Sequence, residues 1–91
     1  MNDRLIYKYI LEISETNVLD LGVNDRVLTA QTQGDHIALW VIHWPHHHKV
    51  KRAFRIYGTG TLISPNDGVG GYINTVQLNG YVYHIFEVSH A

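Results

Sequence analysis

Apolar and polar residues alternate with a period of two along most of this chain. No window holds the i, i+3, i+4, i+7 spacing of an amphipathic helix. From Leu5 to Ile13 the odd positions Leu5, Tyr7, Tyr9, Leu11 and Ile13 are all apolar or aromatic, while Lys8 and Glu12 sit among the even ones. That pattern predicts a strand with one core face and one half-wet face. Ser14 to Asn17 reads as a turn, Val18 to Leu21 as a short strand closed by Gly22, and Asp25 to Gln33 as a third strand. Gly34-Asp35 predicts a tight turn that pairs this strand with the next. His36 to Trp44 is apolar on both faces, with Ala38, Trp40, Ile42 and Trp44 on one and Ile37, Leu39 and Val41 on the other. It is expected to be a central strand covered on both sides, with Trp40 in the core. Pro45 ends it, and Val50 to Tyr57 is expected to pair back on it as a hairpin. Gly58 to Gly71 is irregular, with a possible short strand at Thr61 to Ile63. Tyr72 to Leu78 and Tyr81 to Val88 then form a hairpin around Asn79-Gly80, a type I′ turn signal.

Composition agrees with this reading. Val and Ile together number 18 against 12 for Leu and Ala, and Lys and Glu contribute three each, so strand formers dominate helix formers. The predicted fold is a single all-β domain over residues 1–91, a small antiparallel sandwich or partly open barrel of six to eight strands. A chain of 91 residues buries only about 60–65% of its unfolded surface, so a homodimer formed by strand addition or sheet stacking would enlarge a thin core. There is no Cys, hence no disulfide, no Cys-based zinc knuckle and no thiol nucleophile. The start Met1-Asn2-Asp3-Arg4 lacks the pattern of a signal peptide, and the longest apolar run, Ile37 to Ile42, is far too short to span a membrane. No membrane association is expected.

Charge adds a local feature. The net charge is -1, too balanced for bulk coating of nucleic acid. Yet Lys49, Lys51, Arg52 and Arg55 are four of the seven basic residues, and no acid lies between Asp35 and Asp67. With Trp44 and Tyr57 at its ends, the segment from His43 to Tyr57 offers basic and aromatic side chains. These suit an acidic protein surface or, as the weaker reading, a nucleic-acid backbone. Trp44, His46, Lys49, Lys51, Arg52 and Arg55 are the candidate partner-binding residues. His43, His46, His47 and His48 cluster, but consecutive loop histidines do not converge on one ion and no Cys or nearby carboxylate completes a set, so no metal is expected.

Gly58-Thr59-Gly60 and Gly68 to Gly71 could present backbone N–H groups to a phosphate, which makes Arg55, Tyr57, Gly58, Thr59 and Gly60 a second candidate site, for a small molecule or nucleotide. No helix follows to complete a phosphate-binding loop, so turns and bulges explain these glycines as well. Catalysis has little basis. Ser14, Ser64 and Ser89 lack an elbow motif, the Asp residues occupy turn positions, and His84 reads as a structural histidine bonding across strands. Neither an enzyme nor a cofactor is expected.

Tyr7-Lys8-Tyr9-x-Leu11-Glu12-Ile13, Ala38-Leu39-Trp40, Phe54-Arg55-Ile56-Tyr57-Gly58-Thr59-Gly60 and the run from Val76 to Glu87 follow in an order and spacing that resembles a family of small single-domain proteins of unknown function. Tailed phages and prophages encode that family. The resemblance spans roughly Ile6 to Glu87, with Phe-Arg-Ile-Tyr-Gly-Thr-Gly its most specific part. The family has no assigned catalytic residues to transfer. Its relatives carry an acidic, Asp/Pro-rich connection where this chain has Trp44-Pro45-His46-His47-His48-Lys49. The resemblance implies an accessory role in the cytoplasm of an infected bacterium, and together with the basic, aromatic hairpin this leads to the expectation of a protein that binds a host protein, such as a defence or regulatory factor. The alternatives are a nucleotide sponge and a minor structural component of the virion.

Overall fold

The computed structural model describes residues 3–89. Seven strands are arranged in two antiparallel sheets: β1 (Leu5–Leu11), β2 (Asn17–Gly22), β3 (Arg26–Gln33), β4 (His36–His43), β5 (Lys49–Gly58), β6 (Val69–Leu78) and β7 (Tyr81–Val88). One sheet has the order β1-β4-β3 and the other β2-β5-β7-β6. The sheets are not closed into a barrel, and the all-β sandwich matches the pattern read from the sequence. Two tight turns follow their residues. Gly34 takes the left-handed conformation between β3 and β4, and Asn79 and Gly80 both have positive φ (52° and 85°), as a type I′ turn between β6 and β7 demands.

The core is the set of inward positions of both sheets. Ile37, Leu39 and Val41 of β4 meet Leu21, Phe54, Ile56 and Ile85, all buried. The two sheets are tied along one side by side chains. Asn74 of β6 accepts through Oδ1 from the Ala30 amide (2.8 Å) and from Thr29 Oγ1 (3.0 Å), and Thr32 Oγ1 donates to the Gln77 carbonyl (2.6 Å). On the opposite side β1 and β2 are the sheet edges.

Three expectations are corrected. β4 and β5 do not form a hairpin. β1 and β3 occupy both edges of β4, so β5 pairs with β2 and β7, and the segment Trp44 to His48 crosses between the sheets. Thr61 to Ile63 is an exposed loop, not a strand, with Leu62 93% exposed; it has no strand partner to satisfy its backbone. Finally, β4 is central but its outer face is covered only in part: Ile37, Leu39 and Val41 are sealed on the inner face and Ala38 on the outer one, whereas Trp40 and Ile42 on that outer face lie half-buried. Among the described residues no helix is long and apolar enough to cross a membrane.

Candidate functional site

Of the four basic residues of β5, Lys49, Lys51 and Arg55 share one face and Arg52 lies on the other, and all but Lys49 find an acid supplied by another element. Lys51 points outward and meets Asp20 of β2 at 2.6 Å. Arg52 points inward at the sheet edge, where Nε and Nη2 donate to the two Glu87 oxygens (2.7 and 2.8 Å) and Nη1 donates to the Asp25 carbonyl (2.6 Å). The bidentate bond to Glu87 holds Arg52 more firmly charged, against the opposing effect of burial. Arg55 reaches Asp67 at 3.1 Å and lies over the Tyr57 ring at 5.3 Å. The acid-free stretch of sequence is thus neutralised in space at three of its four cations. Lys49 is exposed and enters no ion pair among the described residues.

The sheet-to-sheet crossing is built around Trp44. Its amide donates to Asp25 Oδ1 (3.0 Å), its ring stacks on His47 (6.0 Å between centroids, 14° between planes), and the Arg4 guanidinium lies 5.8 Å from its centroid. Trp44 is half-buried, while Pro45, His46, His47, His48 and Lys49 are exposed. The Val23 amide donates to the His48 carbonyl (2.7 Å), which fixes the far end of the crossing. Trp44, His46 and Lys49 therefore lie on this one crossing and its junction with β5, and Lys51, Arg52 and Arg55 are held by their own acids. Among the described residues no three His, Asp or Glu side chains are grouped to hold a metal ion.

A cavity of about 340 Å³ opens where β5 runs on past the end of β2, lined among others by Glu15, Arg55, Tyr57, Gly58, Thr61 and Asp67. It contains three of the residues proposed for a small ligand, Arg55, Tyr57 and Gly58. Thr59 turns away, its amide on the Val82 carbonyl (3.1 Å) and its hydroxyl 2.8 Å from His84 Nε2, and Gly60 serves a turn at φ 89°. Asp67 sits in this wall as the counter-ion of Arg55 and the acceptor of the Tyr57 hydroxyl (3.1 Å). Burial and that bond together push the Tyr57 phenol up. His84 is structural, as its strand position suggested: Thr75 Oγ1 meets Nδ1 at 2.9 Å across the β6–β7 pair.

Sequence reading missed a buried network at the opposite end of β4. His43 Nδ1 is hydrogen-bonded to Asp25 Oδ2, and the Tyr9 hydroxyl to His43 Nε2 (2.9 Å). Asp25 and His43 are both only 5% exposed. The Gly22 amide donates to Asp25 Oδ2 (2.7 Å), and a Cβ on Gly22 would stand 2.6 Å from the Asp25 carboxylate, so only glycine admits this close approach. Burial pushes the Asp25 carboxyl up, but the Trp44 and Gly22 amides and the His43 ring more than reverse this and hold it below its ordinary value. Burial, then the charge of Asp25, push the Tyr9 phenol up, so it keeps its proton. Among the described residues no buried side-chain nitrogen or oxygen lacks a hydrogen-bond partner, which suits a tie between β1, β4 and the β2–β3 turn better than a reacting group. One signal was available: His43 shares the inward parity of Ile37, Leu39 and Val41. Asp25 gave none, because an Asp between turn residues is ordinary.

Fold and site together define a small two-sheet β-sandwich with a half-buried Trp at the sheet crossing, a cavity beside β5 and an Asp–His–Tyr tie. Residues 2–91 match the family described as Domain of unknown function (DUF7352), and the chain belongs to that family. No curated protein and no solved structure matches the chain.

Proposed function

We propose that the chain is a phage-encoded accessory protein that binds a host protein through an acidic surface, without catalysis. A defence or regulatory factor is the natural target. The observation that supports this most is the Trp44 corner. A half-buried Trp is held in place by its amide bond to Asp25 and by the Arg4 and His47 contacts, and Lys49, at the far end of the same crossing, enters no ion pair among the described residues. A rigid, partly exposed Trp with a guanidinium over its ring is the kind of residue that anchors an interface, and Lys49 speeds encounter with an acidic face. Capture from a lysate of the bacterial host tests it. Trp44→Ala should reduce recovery of one specific protein at least about tenfold, as loss of a central aromatic anchor does. Equal recovery by the variant, with unchanged thermal stability, contradicts the assignment.

A second reading rests on the 340 Å³ cavity, which collects Arg55, Tyr57 and Gly58. In it the protein sequesters a small anionic ligand such as a nucleotide, with Asp67 yielding Arg55 to the ligand. A thermal-shift panel of nucleotides at millimolar concentration should then raise the melting temperature for one of them. No shift for any nucleotide contradicts this reading and leaves the first standing.

A further inference from the structure

β1 is an edge strand. β4 takes one of its sides over all seven residues without a bulge, and the other side pairs with nothing among the described residues. Edge strands expose a row of free backbone donors and acceptors, and proteins blunt them with charges, prolines and bulges. β1 has a single charge, Lys8, at its centre, and its apolar side chains are exposed on both faces: Leu5 45%, Ile6 58%, Tyr7 53% and Ile10 46%.

The sequence of this strand reads the same in both directions: Leu5-Ile6-Tyr7-Lys8-Tyr9-Ile10-Leu11. A second copy related by a two-fold axis through Lys8, and running antiparallel, therefore meets each residue with its like. Leu5 faces Leu11, Ile6 faces Ile10, and Tyr7 faces Tyr9. Because paired residues in an antiparallel ladder share a face, Ile6 and Ile10 stay on the outer face of the joined sheet and the tyrosines on the inner one. One step beyond each end, the same register sets Arg4 against Glu12 of the partner, twice. Both side chains are exposed, and neither enters an ion pair among the described residues.

The one unfavourable pair is Lys8 against Lys8. Its cost is reduced by the fold, since Lys8 Nζ donates to Gln33 Oε1 (2.6 Å) at the end of β3, two strands away from the free edge, so the two ammonium groups point apart. Two attractive cross-strand pairs thus stand against one weakened repulsion. We propose that β1 is the interface of a two-fold homodimer in which the two three-stranded sheets join into one six-stranded sheet. The strand pair buries less than the about 800 Å² per partner of a standard interface, so the dimer is expected to dissociate on dilution in the micromolar range.

Sedimentation velocity of the full chain over a concentration series tests this. The mass should rise toward that of two chains. Arg4→Glu turns both terminal pairs repulsive and should weaken the dimer about tenfold or more. Arg4→Glu combined with Glu12→Arg should restore it, which loss of the Arg4 contact with Trp44 cannot explain, because the double variant lacks that contact too. Should the Arg4 variants fold poorly, Lys8→Glu mixed with the unmodified chain gives an independent readout. The mixed dimer should exceed both pure dimers, because a Glu then faces Lys8. A monomer at all concentrations overturns the proposal. So does a dimer that ignores the charge swaps, or mixing without excess of the mixed species.

Discussion

At the scale of single residues, Asp25 joins three parts of the molecule. It receives the Gly22 and Trp44 amides and the His43 ring, and all of this lies inside the protein. Asp25→Asn replaces one acceptor oxygen by a donor that points at a donor. We predict a loss of about 2–4 kcal/mol at neutral pH, from unsatisfied buried groups, measured by urea unfolding. The pH dependence has a definite sign. A carboxyl whose folded value lies below its unfolded one adds stability that is complete above the unfolded value and is lost as pH falls through the folded one. The native protein should therefore weaken as pH drops through and below the ordinary carboxylate range, and the Asn variant should lack this part of the decline. An equal acid-induced loss in both would show that Asp25 is not held low. Little of this network was legible in the sequence, since Tyr9, Asp25 and His43 come together only when three separate elements pack.

Elements were read more successfully, and the reason is local chemistry. Alternation placed all seven strands, and Gly34-Asp35 and Asn79-Gly80 fixed two hairpins, because turn type is set by two residues. Which strands pair over longer distances was not readable. Pro45 and the histidines resemble a hairpin loop, yet β5 belongs to the other sheet, a fact decided by β1 and β3 already flanking β4. The Gly58–Gly68 segment illustrates the same limit. It lies along the four-stranded sheet because Asp67 accepts from Tyr57, pairs with Arg55 and closes a capping box with Ser64 on the 3-10 turn Pro65–Asp67. We predict that Asp67→Ala costs about 1–2 kcal/mol, the range of a lost cap and side-chain hydrogen bond, with faster amide exchange confined to this segment. Unchanged exchange there would mean that Asp67 does not hold the loop.

For the molecule as a whole, the charge pattern of the sequence changes meaning once folded. The acid-free stretch between Asp35 and Asp67 suggested a basic patch, but Asp20, Glu87 and Asp67 reach Lys51, Arg52 and Arg55 from other elements. Among the described residues Lys49 is the one cation of this stretch outside an ion pair, and the proposed binding is therefore placed at the Trp44–Lys49 crossing instead of along the length of β5. The sharpest measurement is a comparison of two charge reversals in capture of the host partner. Lys49→Glu should lower recovery severalfold and reduce its sensitivity to salt, while Lys51→Glu, which turns an exposed pair with Asp20 into an exposed repulsion, should leave recovery close to that of the unmodified protein. The reverse order, with Lys51→Glu abolishing capture and Lys49→Glu retaining it, would contradict the account.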